Sequence, residues 1–215
     1  MKKLRGILIV IAIMAIVLLI VRLNHKQIAT DAKGWNLILV NEDYVIPETY
    51  KVELVELDNG EFVDERIQTP LLNMFEAAEN DGVYMIVADG YRSFEEQKAL
   101  LEERTDEYQE KVFIRGIAKW IAGQWVAIPG TSEHQLGIAV DINADAIHSS
   151  GQEVYEWLSG NAHEYGFIQR YPENKSHITG IKYEPWHYRY VGDEAAETIF
   201  NKKLCLEEYL ENHSQ

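Results

Sequence analysis

Two short segments of this 215-residue chain concentrate side chains that could bind a metal ion. The first, residues 132–141, reads SEHQLGIAVD, and the second, residues 184–187, reads EPWH. A catalytic zinc site uses three nitrogen or oxygen ligands from the protein and leaves a fourth position open for water. His134, Asp141 and His187 would meet that requirement.

Glu184 is a candidate general base beside such an ion. A carboxylate within hydrogen-bond reach of the bound water could take its proton as the water attacks a carbonyl group. A regular strand would place Glu184 and His187, three residues apart, on opposite faces. Pro185 between them indicates an irregular backbone, which would let both side chains reach one site.

The seven-residue spacing of His134 and Asp141 would put both on one face of a helix. Gly137 and the sequence IAVDI at residues 138–142 favour instead a loop that enters a strand. We therefore expect Asp141 on the strand and His134 on the loop before it. The spacing is short and common, so by itself it leaves ordinary polar residues as an alternative to a metal site.

Apolar periodicity predicts the elements that must position these residues. Strands are expected at residues 35–40, 83–88, 138–142, 167–171 and 187–191. A first helix is expected after the N-cap Thr69, with Pro70 at its first position and Gly82 after its end. A second is expected to begin at the capping box of Ser93 and Glu96. Further helices are expected over residues 154–165, with Gly166 as C-cap, and over the last twenty or so residues. Residues 112–130 are ambiguous.

The order of these elements predicts one α+β domain with a central, mostly antiparallel sheet flanked by helices. We assign this domain to residues 35–215, after a polar linker at residues 24–34. The single cysteine, Cys205, excludes an intramolecular disulfide and is expected to be a packing residue.

The N-terminus carries basic residues followed by an apolar stretch over residues 7–21, which Arg22 ends. The stretch is shorter than the ~20 residues usual for a membrane span, but basic residues at its ends can reach the interface. Because no small-x-small cleavage site follows it, a retained signal anchor over residues 1–23 is favoured over a cleaved signal peptide. The bulk of the chain would then lie outside the cell, as a single-pass membrane protein.

The formal net charge of the chain is −15. No cluster of lysine or arginine occurs beyond the first few positions. Neutralising phosphates requires basic side chains, so the composition argues against nucleic acid as a partner.

Three ordered segments resemble the D,D-carboxypeptidases and D,D-dipeptidases of the VanY and VanX kind. The family motifs read approximately S-x-H-x-x-G-x-A-x-D and E-x-x-H, and residues 89–93, DGYRS, with Gln97 match a third family segment. Residues 166–192 look especially like the VanY-type branch, which also includes cell-wall L,D-carboxypeptidases. The resemblance covers roughly residues 35–192 and implies a hedgehog/DD-peptidase-like fold.

The resemblance implies one Zn²⁺ per chain on His134, Asp141 and His187, with Glu184 as general base. It also implies that the enzyme removes the C-terminal D-Ala from peptidoglycan stem peptides at the outer face of the bacterial membrane. The alternatives are an L,D-carboxypeptidase, an endopeptidase on stem peptides, and a non-catalytic, zinc-stabilised wall-binding module. A role in antibiotic resistance is implied by resemblance alone, and ordinary wall remodelling would use the same activity.

The resemblance further implies that Arg92 polarises the scissile carbonyl and stabilises the developing oxyanion. Ser132 resembles a contact for the terminal carboxylate of the substrate, and Gln97 a second substrate contact. The chemistry of Arg92 agrees, because a cation beside a helix N-terminus opposes the helix dipole and needs another reason to be there. Ser132 could alternatively be a turn or capping serine.

Overall fold

The computed structural model describes residues 27–213. Its strands are β1 (Gln27–Ile28), β2 (Tyr44–Val45), β3 (Leu54–Glu56), β4 (Phe62–Asp64), β5 (Met85–Asp89), β6 (Ala139–Ala144), β7 (Phe167–Gln169) and β8 (His187–Tyr190). The main sheet has the order β5-β6-β8-β7, and each neighbouring pair is antiparallel. Two further pairs, β1 with β2 and β3 with β4, lie outside it. The predicted α+β class is confirmed.

The described residues also form seven α-helices. They are α1 (Glu65–Asn80), α2 (Phe94–Gln109), α3 (Arg115–Ala122), α4 (Gly151–Asn161), α5 (Ser176–Thr179), α6 (Asp193–Lys202) and α7 (Leu206–Asn212). The capping box of Ser93 and Glu96 at the start of α2 is confirmed, with Glu96 accepting from the Ser93 backbone at 2.8 Å. Helix α3 occupies part of the ambiguous region, and it packs against α2.

The two faces of the main sheet differ in what they contact. Val140, Ile142 and Tyr188 are fully buried in the principal hydrophobic core, together with residues of α1 and α4. Because successive side chains of a strand alternate between faces, Asp141 and His187 point to the opposite side. Burial of one face therefore determines which residues the other face presents.

The segment predicted as a strand at residues 35–40 begins instead as a 3₁₀ helix, Trp35–Leu37. Two of its carbonyl groups accept hydrogen bonds from a side chain and not from a neighbouring strand. Nη2 of Arg189 donates to the carbonyls of Asn36 and Ile38 at 3.0 and 2.9 Å. The side-chain amide of Asn36 donates to the carbonyl of Val191. The apolar run is buried as predicted, but against a guanidinium rather than in a sheet.

Helix α1 begins five residues earlier than the predicted start at Pro70. Its N-cap is Asp64, whose Oδ1 accepts from the backbone N of Arg66 at 3.0 Å, and Pro70 lies inside the helix. Proline removes one helical hydrogen bond. Burial of Ile67 and Leu71, on both sides of Pro70, offsets that loss.

The N-terminal part of the described chain is packed on the domain. Gln27–Ile28 pair with Tyr44–Val45, and Ala29 is buried in the principal core. Residues 27–29, which lie within the range predicted as a linker (24–34), are therefore packed on the domain. The predicted signal anchor at residues 1–23 lies outside the described residues. Within residues 27–213, no helix combines the length and the apolar character needed to cross a membrane.

The other predicted helices and strands are present, with small shifts in their bounds. Helix α4 continues as a 3₁₀ helix, Ala162–Tyr165, and ends at Gly166, which has the left-handed conformation predicted for a C-cap (φ 79°). The C-terminal helical stretch is two helices, α6 and α7, because Lys203 adopts a left-handed conformation (φ 53°) between them. Cys205 is buried, as expected for a packing residue, and burial raises the pKa of its thiol to about 11.

Candidate active site

Strand pairing brings two of the three predicted metal ligands together. Asp141 of β6 and His187 of β8 are direct partners in the antiparallel ladder. Oδ1 of Asp141 lies 2.9 Å from Nδ1 of His187. The prediction that Asp141 lies on a strand is confirmed, and the sheet holds both residues on rigid backbone.

The third ligand, His134, lies on a 3₁₀ helix, Glu133–Leu136, immediately before β6. This short helix ends at Gly137, whose φ of 71° is left-handed, a conformation that glycine adopts without strain. Nε2 of His134 lies 3.4 Å from Oδ1 of Asp141. The turn therefore carries His134 back over the strand that holds Asp141.

Gly90 orients the ring of His134. Its carbonyl oxygen lies 2.7 Å from Nδ1 of His134, so Nδ1–H donates and Nε2 keeps its lone pair for a ligand. A side chain at Gly90 would not fit, since a Cβ there would lie 2.3 Å from the carbonyl oxygen of Phe62. The close approach of two backbones thus places the acceptor.

The three residues fit a zinc ion. Their donor atoms all lie within 4.8 Å of one another. Tetrahedral zinc with bonds of about 2.0–2.2 Å holds its ligand atoms roughly 3.3 Å apart, close to the 3.4 and 2.9 Å that separate Asp141 from His134 and His187. Two imidazoles and one carboxylate are also a donor set that zinc accepts.

The electrostatics of the cluster favour a charged carboxylate beside histidine. Burial alone would raise the pKa of Asp141, but His134 and His187 outweigh it and hold this pKa well below the usual range. Burial lowers the pKa of His187, whereas the carboxylates of Asp141 and Glu133 outweigh that effect and raise it to about 9. The metal-free site therefore binds a proton where a cation could bind instead.

Glu184 lies beside the cluster on irregular backbone, as predicted. It precedes the Pro185–Trp186 turn that leads into β8, and its Oε2 is 3.9 Å from Nδ1 of His187. Burial, with 6% of the residue exposed, raises the pKa of Glu184 to about 7. A carboxyl group with such a pKa can both accept and donate a proton near neutral pH.

Arg92 is held in place by two side chains. Its Nε donates to Asp89 at 3.1 Å and its Nη1 donates to Oε1 of Gln97 at 2.5 Å. Gln97 is 1% exposed, and its amide also donates to the carbonyl of Ala127 at 2.8 Å. The resemblance implied that Gln97 contacts substrate. Its side chain lines the cavity and accepts a hydrogen bond from Arg92, so the contact with substrate stays a prediction.

A single cavity of about 430 Å³ collects all the predicted site residues. They are Arg92, Gln97, Ser132, His134, Asp141, Glu184 and His187. Ser132 precedes the 3₁₀ helix but its hydroxyl does not cap it, which removes the capping alternative. The cavity therefore offers, in one place, a metal-binding cluster, a buried glutamate, a guanidinium and a hydroxyl.

Aromatic residues line part of this cavity. Trp186 lines it, whereas Tyr188 and Tyr190 lie on the core face of β8. The ring centroid of Tyr171 lies 4.8 Å from that of His187. Trp125 lines another side of the cavity. Sequence alone offered no signal for these two, because their approach depends on the packing of distant segments.

Sequence reasoning also missed a buried charge network behind the cluster. Oε1 of Glu133 accepts from Arg170 and Arg189, at 2.8 Å each, and Arg170 also donates to Glu207 at 2.7 and 2.9 Å. Burial alone would raise the pKa of Glu133, but the two guanidinium groups hold it below its usual range. Arg170 and Arg189 lie in apolar segments that were predicted as strands, at residues 167–171 and 187–191. They were the available signal, since a buried cation requires a partner.

This combination of ligands, glutamate and arginine is that of a metal-dependent carboxypeptidase. Comparison with known proteins agrees: the VanY family, described as D-alanyl-D-alanine carboxypeptidase, matches residues 60–193. The chain belongs to this family of carboxypeptidases.

Individual relatives support the family assignment. A D-alanyl-D-alanine carboxypeptidase of Enterococcus faecalis (strain ATCC 700802 / V583) is 57% identical over 180 residues, which is 84% of this chain and 67% of that protein. A mutant of the vancomycin resistance D,D-pentapeptidase VanY, in complex with Zn(II), matches with a TM-score of 0.81 at 57% identity, covering 82% of this chain and 99% of that one. VanYB in complex with D-alanine-D-alanine matches with a TM-score of 0.83 at 56% identity, covering 85% and 100%.

Proposed function

We propose that this chain is a zinc-dependent D,D-carboxypeptidase that removes the C-terminal D-Ala from peptidoglycan stem peptides. The observation that carries this proposal is the convergence of His134, Asp141 and His187 in a cavity that also holds Glu184. The zinc complex of one relative and the D-alanine-D-alanine complex of another support the choice of metal and of substrate.

His134, Asp141 and His187 would hold the zinc ion. When bound, zinc lowers the pKa of a water ligand and polarises a carbonyl group. Glu184 takes a proton from the attacking water at Oε2 and returns it to the leaving amine of the terminal residue. Its Oε2 lies 3.9 Å from Nδ1 of His187, which places a carboxylate next to the proposed metal ligands.

Arg92 stabilises the negative charge that develops on the scissile carbonyl oxygen. A preorganised donor of this kind is worth about 2.7–4 kcal/mol of transition-state stabilisation. Gln97 and Asp89 fix the guanidinium before substrate arrives, so it need not reorganise during the reaction. The hydroxyl of Ser132, on the same cavity wall, accommodates the terminal carboxylate of the substrate.

We also propose that the N-terminal apolar stretch anchors the enzyme in the membrane with the domain at the outer face. The basic residues before residues 7–21 and the lack of a cleavage site support it. Proteolysis of intact cells tests this orientation: the domain should be digested from outside, and protection until the cells are lysed would contradict it.

The activity is tested with the full-length chain in a mild detergent. It is incubated with a stem pentapeptide ending in D-Ala-D-Ala and with the tetrapeptide, with zinc and with a chelator, and products are identified by mass spectrometry. Chelator-sensitive loss of one D-Ala from the pentapeptide alone is expected. Loss from the tetrapeptide would assign an L,D-carboxypeptidase instead, and internal cleavage an endopeptidase. Zinc binding without any cleavage would indicate a wall-binding module.

A further inference from the structure

The ring of His187 has one nitrogen that faces away from the metal cluster. Nδ1 lies on the cluster side, 2.9 Å from Oδ1 of Asp141. Nε2 is buried and has no hydrogen-bond partner among the described residues. It lies 3.7 Å from Oε2 of Glu133, which is also buried and also without a partner in that part of the chain. Two unpartnered polar atoms thus face each other behind the metal site.

These two atoms are complementary once a metal binds Nδ1 of His187. A ligating imidazole is neutral, so the single ring proton must then lie on Nε2. A buried N–H without an acceptor is unfavourable, and a carboxylate oxygen is a strong acceptor. The 3.7 Å between Nε2 and Oε2 of Glu133 has to shorten by only about 0.7 Å to form an ordinary hydrogen bond.

The rest of the network holds Glu133 in the orientation that this bond needs. Arg170 and Arg189 both donate to Oε1 of Glu133, at 2.8 Å, and leave Oε2 turned toward His187. Arg170 is itself fixed by two hydrogen bonds to Glu207, at 2.7 and 2.9 Å. A carboxylate clamped in this way cannot easily rotate to find another donor.

We propose that Glu133 is a positioning residue of the metal centre: its Oε2 accepts Nε2–H of His187, which fixes the ring and keeps Nδ1 free of a proton for the metal. This inference rests on the proposed function, because it takes His187 to be a zinc ligand. Partners that orient a ligating histidine commonly contribute about 10- to 100-fold to metal affinity.

The variant Glu133→Gln tests this role with little change in shape. Its amide oxygen can still accept from both arginines, but its NH₂ group would then face Nε2 of His187 and oppose a proton there. Glu207→Gln is the matched control, because it removes a carboxylate from the same network on the other side of Arg170. Zinc affinity of the full-length chains is measured by competition with a chromophoric chelator, and melting temperatures of the metal-free forms report the structural cost.

We expect Glu133→Gln to bind zinc about 10- to 100-fold more weakly than wild type, and Glu207→Gln to stay close to wild type. Equal affinity of the two variants would overturn the positioning role while leaving the zinc site intact. A wild-type chain that binds no zinc would overturn the proposed function as well.

A second measurement applies even where Glu133→Gln fails to fold. Nuclear magnetic resonance of the zinc-loaded wild-type chain, with ¹⁵N-labelled histidine, shows which ring nitrogen of His187 carries the proton. We expect the proton on Nε2, protected from exchange by Glu133. A proton on Nδ1 would contradict the proposal.

Discussion

Asp141 and His187, 46 residues apart in the chain, face each other as a direct pair across β6 and β8, with Oδ1 of one 2.9 Å from Nδ1 of the other. The ladder that joins the two strands therefore also sets the spacing of two metal ligands. Regular backbone holds such a spacing more precisely than loops do. His134, on its 3₁₀ turn, completes the cluster.

The first prediction concerns the proposed general base. Glu184→Gln keeps the shape of the side chain but removes proton transfer, so kcat/KM should fall about 10²- to 10⁴-fold. Bound zinc, measured by atomic absorption, should remain near one ion per chain, because Glu184 is not a ligand. Glu103→Gln, on the exposed surface of α2, is the control. Loss of zinc in Glu184→Gln would contradict its assignment as a base.

Arg92→Lys tests the oxyanion role. Lysine keeps a positive charge but lacks the guanidinium fork that Asp89 and Gln97 hold. We expect a fall in kcat of about 10²- to 10³-fold with zinc content unchanged. Adding Gln97→Ala to this variant should cost little more, since Gln97 acts through Arg92. Additive losses in the double variant would show that Gln97 contacts substrate independently.

Zinc affinity should depend on pH through His187. Its pKa in the metal-free protein is raised to about 9, and zinc binds only the neutral ring. Protons therefore compete with zinc below that pH, and affinity should fall about tenfold per pH unit between pH 8 and 6 from this group. Chelator competition at a series of pH values measures the slope. Affinity independent of pH would contradict the role of His187 as ligand.

Gly90→Ala should damage the site through the backbone. The added Cβ would lie 2.3 Å from the carbonyl oxygen of Phe62 and would displace the carbonyl that orients His134. We expect unfolding free energy to fall by about 1–3 kcal/mol and zinc to bind more weakly. Gly160→Ala is the control: its Cβ would meet no atom within 4 Å, and it lies in α4, where alanine favours helix. Zinc affinity unchanged in Gly90→Ala would exclude the orienting role.

Arg170→Met should destabilise the fold strongly. It leaves the carboxylates of Glu133 and Glu207 without their shared cation, and breaking a buried pair in this way costs about 3–5 kcal/mol. Guanidinium unfolding followed by tryptophan fluorescence measures the loss. Arg104→Met, which breaks the exposed pair with Glu107, should cost about 0–1 kcal/mol. Equal effects of the two variants would show that the buried network does not stabilise the fold.

The sequence by itself indicated the candidate site residues and the class of fold. The sequence pointed to His134, Asp141, Glu184 and His187 because each belongs to a short local motif. Pro185 indicated the irregular backbone, which exempts Glu184 from the side-chain alternation of a strand. The capping box at Ser93 was readable for the same reason, since its hydrogen bonds span three residues.

Only the tertiary structure decided what depends on distant partners. The apolar segment at residues 35–40 has the pattern of a strand, yet it begins as a 3₁₀ helix. The guanidinium of Arg189 donates hydrogen bonds to two of its carbonyl groups. Gln97 could be recognised from the sequence as a polar residue near Arg92. Its hydrogen bonds with Arg92 and with the carbonyl of Ala127 form only on folding. Glu133 stands next to His134 in the sequence, yet it faces His187, because the fold brings two arginines and a strand together behind the site. Such contacts join residues far apart in the chain, and no local pattern of residue types encodes them.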